Sequence, residues 1–486
     1  MENNYTYKYL DFEDNNSFKI KEKTFKIHIT EYDTKKKLGI MIVGLGGNNG
    51  STLTTSLLAY NKKLIWENKG GEHEVKWYGS ISQYGSVNLG YNNKGEIVSK
   101  LMKDMVSLRK PEDIVIGGWD ICEDNLYKAC KKNKVVDTQL LDKLKDDLEK
   151  ITPMKSIFYE GFIATNQNVK CNNIKNVNEI NKWEDVRSVK IDIENFKQTN
   201  NLEKVIVIWA GSTERMNNKC YESSSDLIEH IFENDSSISP STIFAVATIL
   251  SGNIFMNTSP QNTINRSILE LAEKYGAFIG GSDLKSGQTK LKSVLVDFLA
   301  SSGIKPLSII SYNHLGNNDG LNLSEKEQFE SKEITKRNVI DDIVEENPEL
   351  FKGKKPDHEV VIKYIQSVGD SKRAIDEYYS ELILDGRNIL SIYNVCEDSL
   401  LAIPLLLDIA IFSDFFSRAT FTDEMGFINK MSPNLSLLSF FFKSPIEEDN
   451  QPVINAFYKQ RNAITNFIKV CCGIPLDDLL SLHKKI

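Results

Sequence analysis

The 486-residue chain, 41% hydrophobic and 26% charged, has the composition of a folded globular protein and the length for two or three domains around a large core. A net charge of −8 disfavours a binder of phosphate backbones, so no nucleic-acid partner is expected. The opening "MENNYTYKYLDFEDNN" lacks the apolar core of a signal peptide, and seven cysteines without a C-x-x-C pair fit reduced thiols.

In chain order, residues 1–35 are polar with short alternation ("FKIHIT") and read as an N-terminal extension. From residue 36, the apolar segments "LGIMIV", "DIVIGGW", "KVIVIWA", "TIFAVATIL" and "AFIGG" read as strands separated by helical patterns. That rhythm predicts an α/β fold, a Rossmann-like doubly wound parallel sheet over residues 36–289. The polar stretches 170–203 and 213–240 read as loops and surface helices. Beyond "SVLVDFLASSGIKP", the strand-like "LSIISYNHL", "HEVVIKYI" and "NILSIYNV" predict a second, smaller sheet within an inserted α/β domain at 290–401. A helical, apolar C-terminus spans 402–486. Its run "LLAIPLLLDIAIF" is interrupted by Pro404 and Asp408, and "LSLLSFFF" is too short for a bilayer, so no membrane partner is expected.

The segment "VGLGGNNGSTLT" follows the first strand and resembles the G-x-G-x-x-G turn, whose backbone N–H groups cradle a pyrophosphate at a helix start. Gly44, Gly46, Gly47 and Gly50 stand in a turn about one residue longer than usual. Asn48 and Asn49 tolerate left-handed geometry and offer amides to phosphate, while Ser51 and Thr52 suit a helix cap. No G-K-[ST] follows, which excludes a Walker loop. An acid to read the ribose is missing about 20 residues on, and Asp120 after "IVIGGW" is the candidate for that task.

A second group of residues is dense in lysine: Lys285, Lys290 and Lys292 in "SDLKSGQTKLKS", Lys332 and Lys336 one helical turn apart in "SKEITK", Lys363 and Lys372 in "VVIKYIQSVGDSK", and Lys459 in "YKQR". Lys363 interrupts a strand that looks buried, where a lysine must reach a partner or a cavity. Six histidines leave little material for a serine–histidine pair or a metal site, and no metal is expected.

The motifs "GLGGNNGSTLT", "GGWDI", "SPQNT", "SDLKSGQTKLKSVLVDFL", "SYNHLGNNDGLNLS", "SKEITK", "VVIKYIQSVGDSKRAIDEYYSE" and "NVCEDSLLA" together resemble the eukaryotic form of myo-inositol-1-phosphate synthase, in order from about residue 36 to the C-terminus. The resemblance implies glucose 6-phosphate as substrate and NAD as cofactor, with oxidation at C5, enolisation at C6, aldol closure onto C1 and re-reduction. Every intermediate carries negative charge beside a phosphate, which suits a site built from lysines.

It implies NAD contacts at Gly44, Gly46, Gly47, Asn48, Asn49, Gly50, Ser51, Asp120, Ser156, Gly211, Ser212, Thr213, Asp283, Asp319, Asp398 and Ser399. Asn317, Asn318, Lys332, Lys336, Lys363 and Lys459 are expected around the sugar phosphate. Among them Lys332 and Lys363 are expected to move protons, and Lys336 and Lys459 to clamp phosphate and oxyanions. It further implies that the C-terminal helices complete the Rossmann-like domain, that the 290–401 domain is catalytic and forms a homotetramer, and that the enzyme is cytoplasmic. Ser282 and Glu330 depart from the family pattern, which carries an aspartate and an arginine there.

Overall fold

The computed structural model describes residues 2–12, 17–175, 181–443 and 454–476. Alternation near the N-terminus produces a long antiparallel hairpin, β1 (Glu2–Phe12) with β2 (Phe18–Ile29), in place of a loose extension. β3 (Lys37–Val43) leads into the helix Asn48–Asn61. Two small hairpins, β4 (Ile65–Asn68) with β5 (Gly71–Glu74) and β6 (Ser86–Tyr91) with β7 (Ile97–Leu101), come before the next long strand. Then follow β8 (Ile114–Asp120), β9 (Met154–Lys155), β10 (Leu202–Trp209), β11 (Ile254–Asn257) and β12 (Phe278–Gly280). With β3 these form one parallel six-stranded sheet in the order β12-β11-β10-β3-β8-β9.

Both faces of this sheet are covered, and period-2 side chains feed two cores. Leu38, Ile40 and Ile42 of β3 enter one, with Ile206 and Ile208 of β10. Met41 and Val43 enter the other, with Val205, Val207 and Trp209. Each fully buried aliphatic side chain contributes about 1.5–3 kcal/mol, so these near-continuous apolar strands are what force the sheet to the centre.

One expected strand is a helix. "TIFAVATIL" lies in the buried helix Pro240–Leu250, with Ser239 accepting from Thr242 N at the N-cap and Pro240 at its first position. The strand is the shorter "IFMN" that follows. A helix buried all round shows no amphipathic period, and β-branched residues then mimic a strand.

The second sheet has the order β14-β13-β15-β16, from β13 (Lys305–Leu315), β14 (Asp357–Tyr364), β15 (Ser371–Glu381) and β16 (Arg387–Glu397). β13 and β14 are parallel; the other pairings are antiparallel. β15 is not legible as a strand because its buried face carries Asp376 and Ser380 with Ala374 and Tyr378, while Ile375 faces out.

Asp398–Ser417 then forms one continuous helix through Pro404. It is long and apolar enough to span a bilayer, yet it lies inside the first core. Its Asp408 is used within the fold, accepting from Ser80 Oγ (2.6 Å), Ile81 N (2.7 Å) and Ser82 N (3.0 Å). Where only helices are expected, β17 (Ala419–Asp423) and β18 (Ile428–Lys430) extend the N-terminal hairpin into the sheet β1-β2-β17-β18. The helix Phe457–Cys471 closes the described chain.

Candidate active site

A cavity of about 550 Å³ opens at the carboxyl ends of β3, β8 and β10 and is closed on the far side by residues of the second sheet and the helices around it. This is where an open parallel sheet binds its ligand. The glycine turn forms one wall. Gly44 has φ +92°, and a Cβ there would lie 2.8 Å from Gly211 Cα, so the first glycine lets two strand ends approach.

The extra residue of the turn is absorbed by an early helix start. Asn48 and Asn49 occupy the first helical turn, not left-handed positions, and the N-cap is Gly47 with no side-chain cap. The first N–H groups of that helix are thus left for an anion. Gly50 falls inside the helix, where a Cβ would meet Leu45 O at 2.5 Å; it permits close packing and does not line the cavity. Ser51 is also beneath the turn, donating to Gly47 O at 2.7 Å and accepting from Asn133 Nδ2 at 2.9 Å.

Asp120 ends β8, the strand adjoining β3, which is the position of a ribose-reading acid. The inserted hairpins β4 to β7 put it far along the chain. Its carboxylate accepts from Gly46 N (2.8 Å) and Cys122 N (2.9 Å); burial pushes its pKa up against those two bonds. The turn, the acid and the cavity together fit NAD.

Opposite the turn, three lysines and three aspartates meet. Lys332 Nζ bonds Asp283 Oδ1 at 3.1 Å and lies 3.7 Å from Asp319. Lys443 bonds Asp283 Oδ2, and Lys372 bonds Asp398 Oδ1 at 3.0 Å. Burial favours a neutral Asp283, but Lys332 and Lys443 overcome it and hold its pKa at about 2. Burial alone would also lower Lys332, yet Asp283, Asp319 and Asp398 raise it. Lys372 is likewise raised, since Asp398 outweighs burial. For Lys443 burial prevails over Asp283 and lowers it to about 8.

Asp370 ties the two walls together. It accepts from Asn48 Nδ2 and Asn317 Nδ2, both at 3.1 Å, and from Ser399 Oγ at 2.7 Å.

The residues expected at the site divide clearly. Gly44, Gly46, Gly47, Asn48, Asn49, Asp120, Ser156, Gly211, Ser212, Thr213, Asp283, Asn317, Asn318, Asp319, Lys332, Asp398 and Ser399 all line the cavity. Lys336 is buried beside that wall, donating to Asn313 Oδ1 at 3.2 Å and Gln288 Oε1 at 3.4 Å.

Two lysines are elsewhere. Lys363 is exposed on β14, an edge strand whose inward residue is Val360, and the pleat turns Lys363 outward while its neighbour Tyr364 lines the cavity. Lys459 pairs with Glu346 at a half-exposed position. The lysines that line the cavity in addition to Lys332 include Lys372 and Lys443. Lys443 ends the buried run "SFFF", the same signal that drew attention to Lys363, but here the lysine is truly inside. Glu330 is exposed and lies 3.7 Å from Lys326, away from the cavity.

The family model described as myo-inositol-1-phosphate synthase, a type of NAD-binding domain, matches residues 38–469. The inositol-3-phosphate synthase of Saccharomyces cerevisiae is 43% identical over 483 residues, covering 95% of this chain and 91% of that protein. Inositol-3-phosphate synthase 1 of Homo sapiens is 46% identical over 455 residues, 93% of this chain and 81% of that one. The crystal structure of the Caenorhabditis elegans inositol-3-phosphate synthase superposes with a TM-score of 0.96 at 41% identity, covering 100% of this chain and 96% of that one. A related Thermotoga maritima protein, 17% identical with a TM-score of 0.64, shares the fold. With a glycine turn opening on a lysine-lined cavity and these relatives along nearly its whole length, the chain belongs to the myo-inositol-1-phosphate synthase family.

Proposed function

We infer that the protein is the NAD-dependent, redox-neutral enzyme that converts glucose 6-phosphate to inositol phosphate, and that the cavity described above is its active site. The observation that carries this reading is the meeting of Lys332, Lys372 and Lys443 with Asp283, Asp319 and Asp398 in the cavity that also contains the glycine turn.

NAD, when bound, supplies reversible hydride transfer at C5 of the sugar. The N-terminal amides of the helix Asn48–Asn61 and the end of β10 at Gly211 to Thr213 hold the dinucleotide. Lys332 and Lys372, each kept charged by an aspartate, steady the oxygens at C5 and C1 as charge develops on them. Lys443, with its pKa lowered to about 8, is suited to accept the C6 proton near neutral pH and to give it up again. Lys336 adjoins this group and suits the phosphate. Closing helices over the cavity would keep water from the enolate.

We further propose the division of the chain at residues 35, 289 and 401, a cytoplasmic location and a homotetramer. The second sheet supports the assembly: its outer face exposes Ile310, Ile375, Ile389, Tyr393 and Val395, an apolar patch that a second copy of the chain would cover.

Deuterium at C5 of glucose 6-phosphate tests the chemistry. It should be retained in the inositol phosphate, with no NADH accumulating beyond the amount of enzyme. Deuterium washing out to solvent, or NADH building up over many turnovers, would favour an ordinary NAD-linked sugar-phosphate dehydrogenase.

A further inference from the structure

Lys336 differs from its neighbours in what it can reach. Lys332, Lys372 and Lys443 each bond a carboxylate. Lys336 is 3% exposed, and among the described residues its hydrogen-bond partners are two amide oxygens, Asn313 Oδ1 and Gln288 Oε1. Gln288 is fixed from the other side, since its Nε2 donates to Asp376 Oδ1 at 2.7 Å. One helical turn further along, buried Lys292 Nζ is hydrogen-bonded with His358 Nε2 at 2.7 Å. Burial, followed by the charges of Lys292 and Arg337, pushes His358 down to about 2, so its ring is neutral.

Several elements bring polar and charged groups to Lys336. Lys332 is on its own helix; Gln288 and Lys292 are on the helix Gly287–Ser301; Asn313 is on β13 and neutral His358 on β14. Lys372 and Asp376 come from β15, and Lys443 from beyond the apolar run. Arg337 turns outward to Glu333 and Glu359. Lys332, Lys372 and Lys443 bond Asp283 and Asp398, and Asp370 on the far wall is engaged by Asn48, Asn317 and Ser399, whereas Lys336 bonds no carboxylate. An ammonium at Lys336 would be buried among other lysines without a carboxylate to pair it, which is costly.

We propose that Lys336 is an uncharged amine in the substrate-free protein and takes one proton from solvent as the phosphate dianion enters, with buried Lys292 as the charge that sets this linkage. It rests on glucose 6-phosphate being the ligand of this cavity. Burial, followed by the lysines at 372, 443, 292 and 332, pulls Lys336 in the same direction, well below an ordinary lysine. The dianion supplies the anionic partner that Lys336 lacks, so the amine gains a proton. Lys292 is not among the residues that line the cavity and acts as a positioning and tuning residue.

Calorimetric titration of glucose 6-phosphate into NADH-loaded protein tests this, because the reduced cofactor prevents oxidation of the sugar. At pH 8 the phosphate is already a dianion, so the dependence of the heat on buffer ionisation reads the protein's proton uptake. About one proton per site is expected, and apparent affinity should fall about tenfold per pH unit above pH 8. Lys292→Met, which removes one of the positive charges that lower Lys336, and Gln288→Glu, which gives Lys336 a carboxylate, should each cut the uptake at least in half while ligand still binds. Lys292→Arg should retain it. Binding without proton uptake in the parent protein, or unchanged uptake in both Lys292→Met and Gln288→Glu, would overturn the linkage alone. No binding of glucose 6-phosphate at all would overturn the proposed function with it.

Discussion

Lys372 and Lys363 lie nine residues apart on strands of one sheet, but only Lys372 reaches the cavity. Lys372→Met should lower product formation by about 10²–10³ while NAD still binds, the usual cost of removing a group that steadies an oxyanion. Lys363→Met, at an exposed position, should remain within about twofold of the parent in the same assay. At Gly46 a Cβ would come within 3.2 Å of Asp120 Oδ2, and valine would further crowd the mouth of the turn. Gly46→Val should therefore weaken NAD binding by at least about a hundredfold, roughly 3 kcal/mol, with circular dichroism unchanged.

Glu214 makes a pH prediction at the same scale. It is fully buried, and desolvation outweighs its bonds from Ser241, raising its pKa from 4.5 to about 7. A carboxyl raised on folding stabilises fully below its unfolded value, and that contribution is lost as pH rises through the folded value. The window is therefore pH 4.5 to 7, and the effect is about 3 kcal/mol. Melting temperatures should show Glu214→Gln gaining on the parent protein from pH 5 to pH 8.

Among the elements, the helices Asn318–Asn322 and Lys326–Arg337 carry Asn318, Asp319, Lys332 and Lys336 over the cavity. They are anchored mainly by polar contacts: Asn322 Nδ2 to Thr213 O (2.9 Å), Gln328 Nε2 to Phe162 O (3.0 Å) and Ser331 Oγ to Glu214 O (3.0 Å). Such a segment opens at lower free energy than a strand of the core. Amide hydrogen exchange in residues 316–338 should slow sharply when NADH and glucose 6-phosphate are both present; equal protection with and without ligand would show that these helices do not close. The pairing of β2 with β17 is another relation between elements that local pattern cannot announce, because its register joins residues nearly 400 positions apart.

For the whole molecule, the outer face of the second sheet carries the prediction. Tyr393 is 63% exposed and Ile375 49%, and a charge placed there would remain buried in any assembly that uses this face. Tyr393→Asp should shift the mass measured by light scattering to smaller species while the NAD-binding sheet stays folded. The parallel sheet itself was legible in the sequence, because "LGIMIV" and "VIVIWA" run apolar without alternation and such strands fit only a sheet covered on both faces. The glycine turn was legible too, since a backbone that must pass close to another chain segment excludes side chains locally. Asp120 could be selected because it ends a strand. Which lysines meet was decided only by the tertiary structure. Lys372 and Lys443 are brought to Asp398 and Asp283 from separate elements, whereas Lys363 is turned away by one step of a pleat. Apolar periodicity is a property of a segment and can be read along it; convergence of charges depends on how segments pack, and no single stretch of chain encodes it.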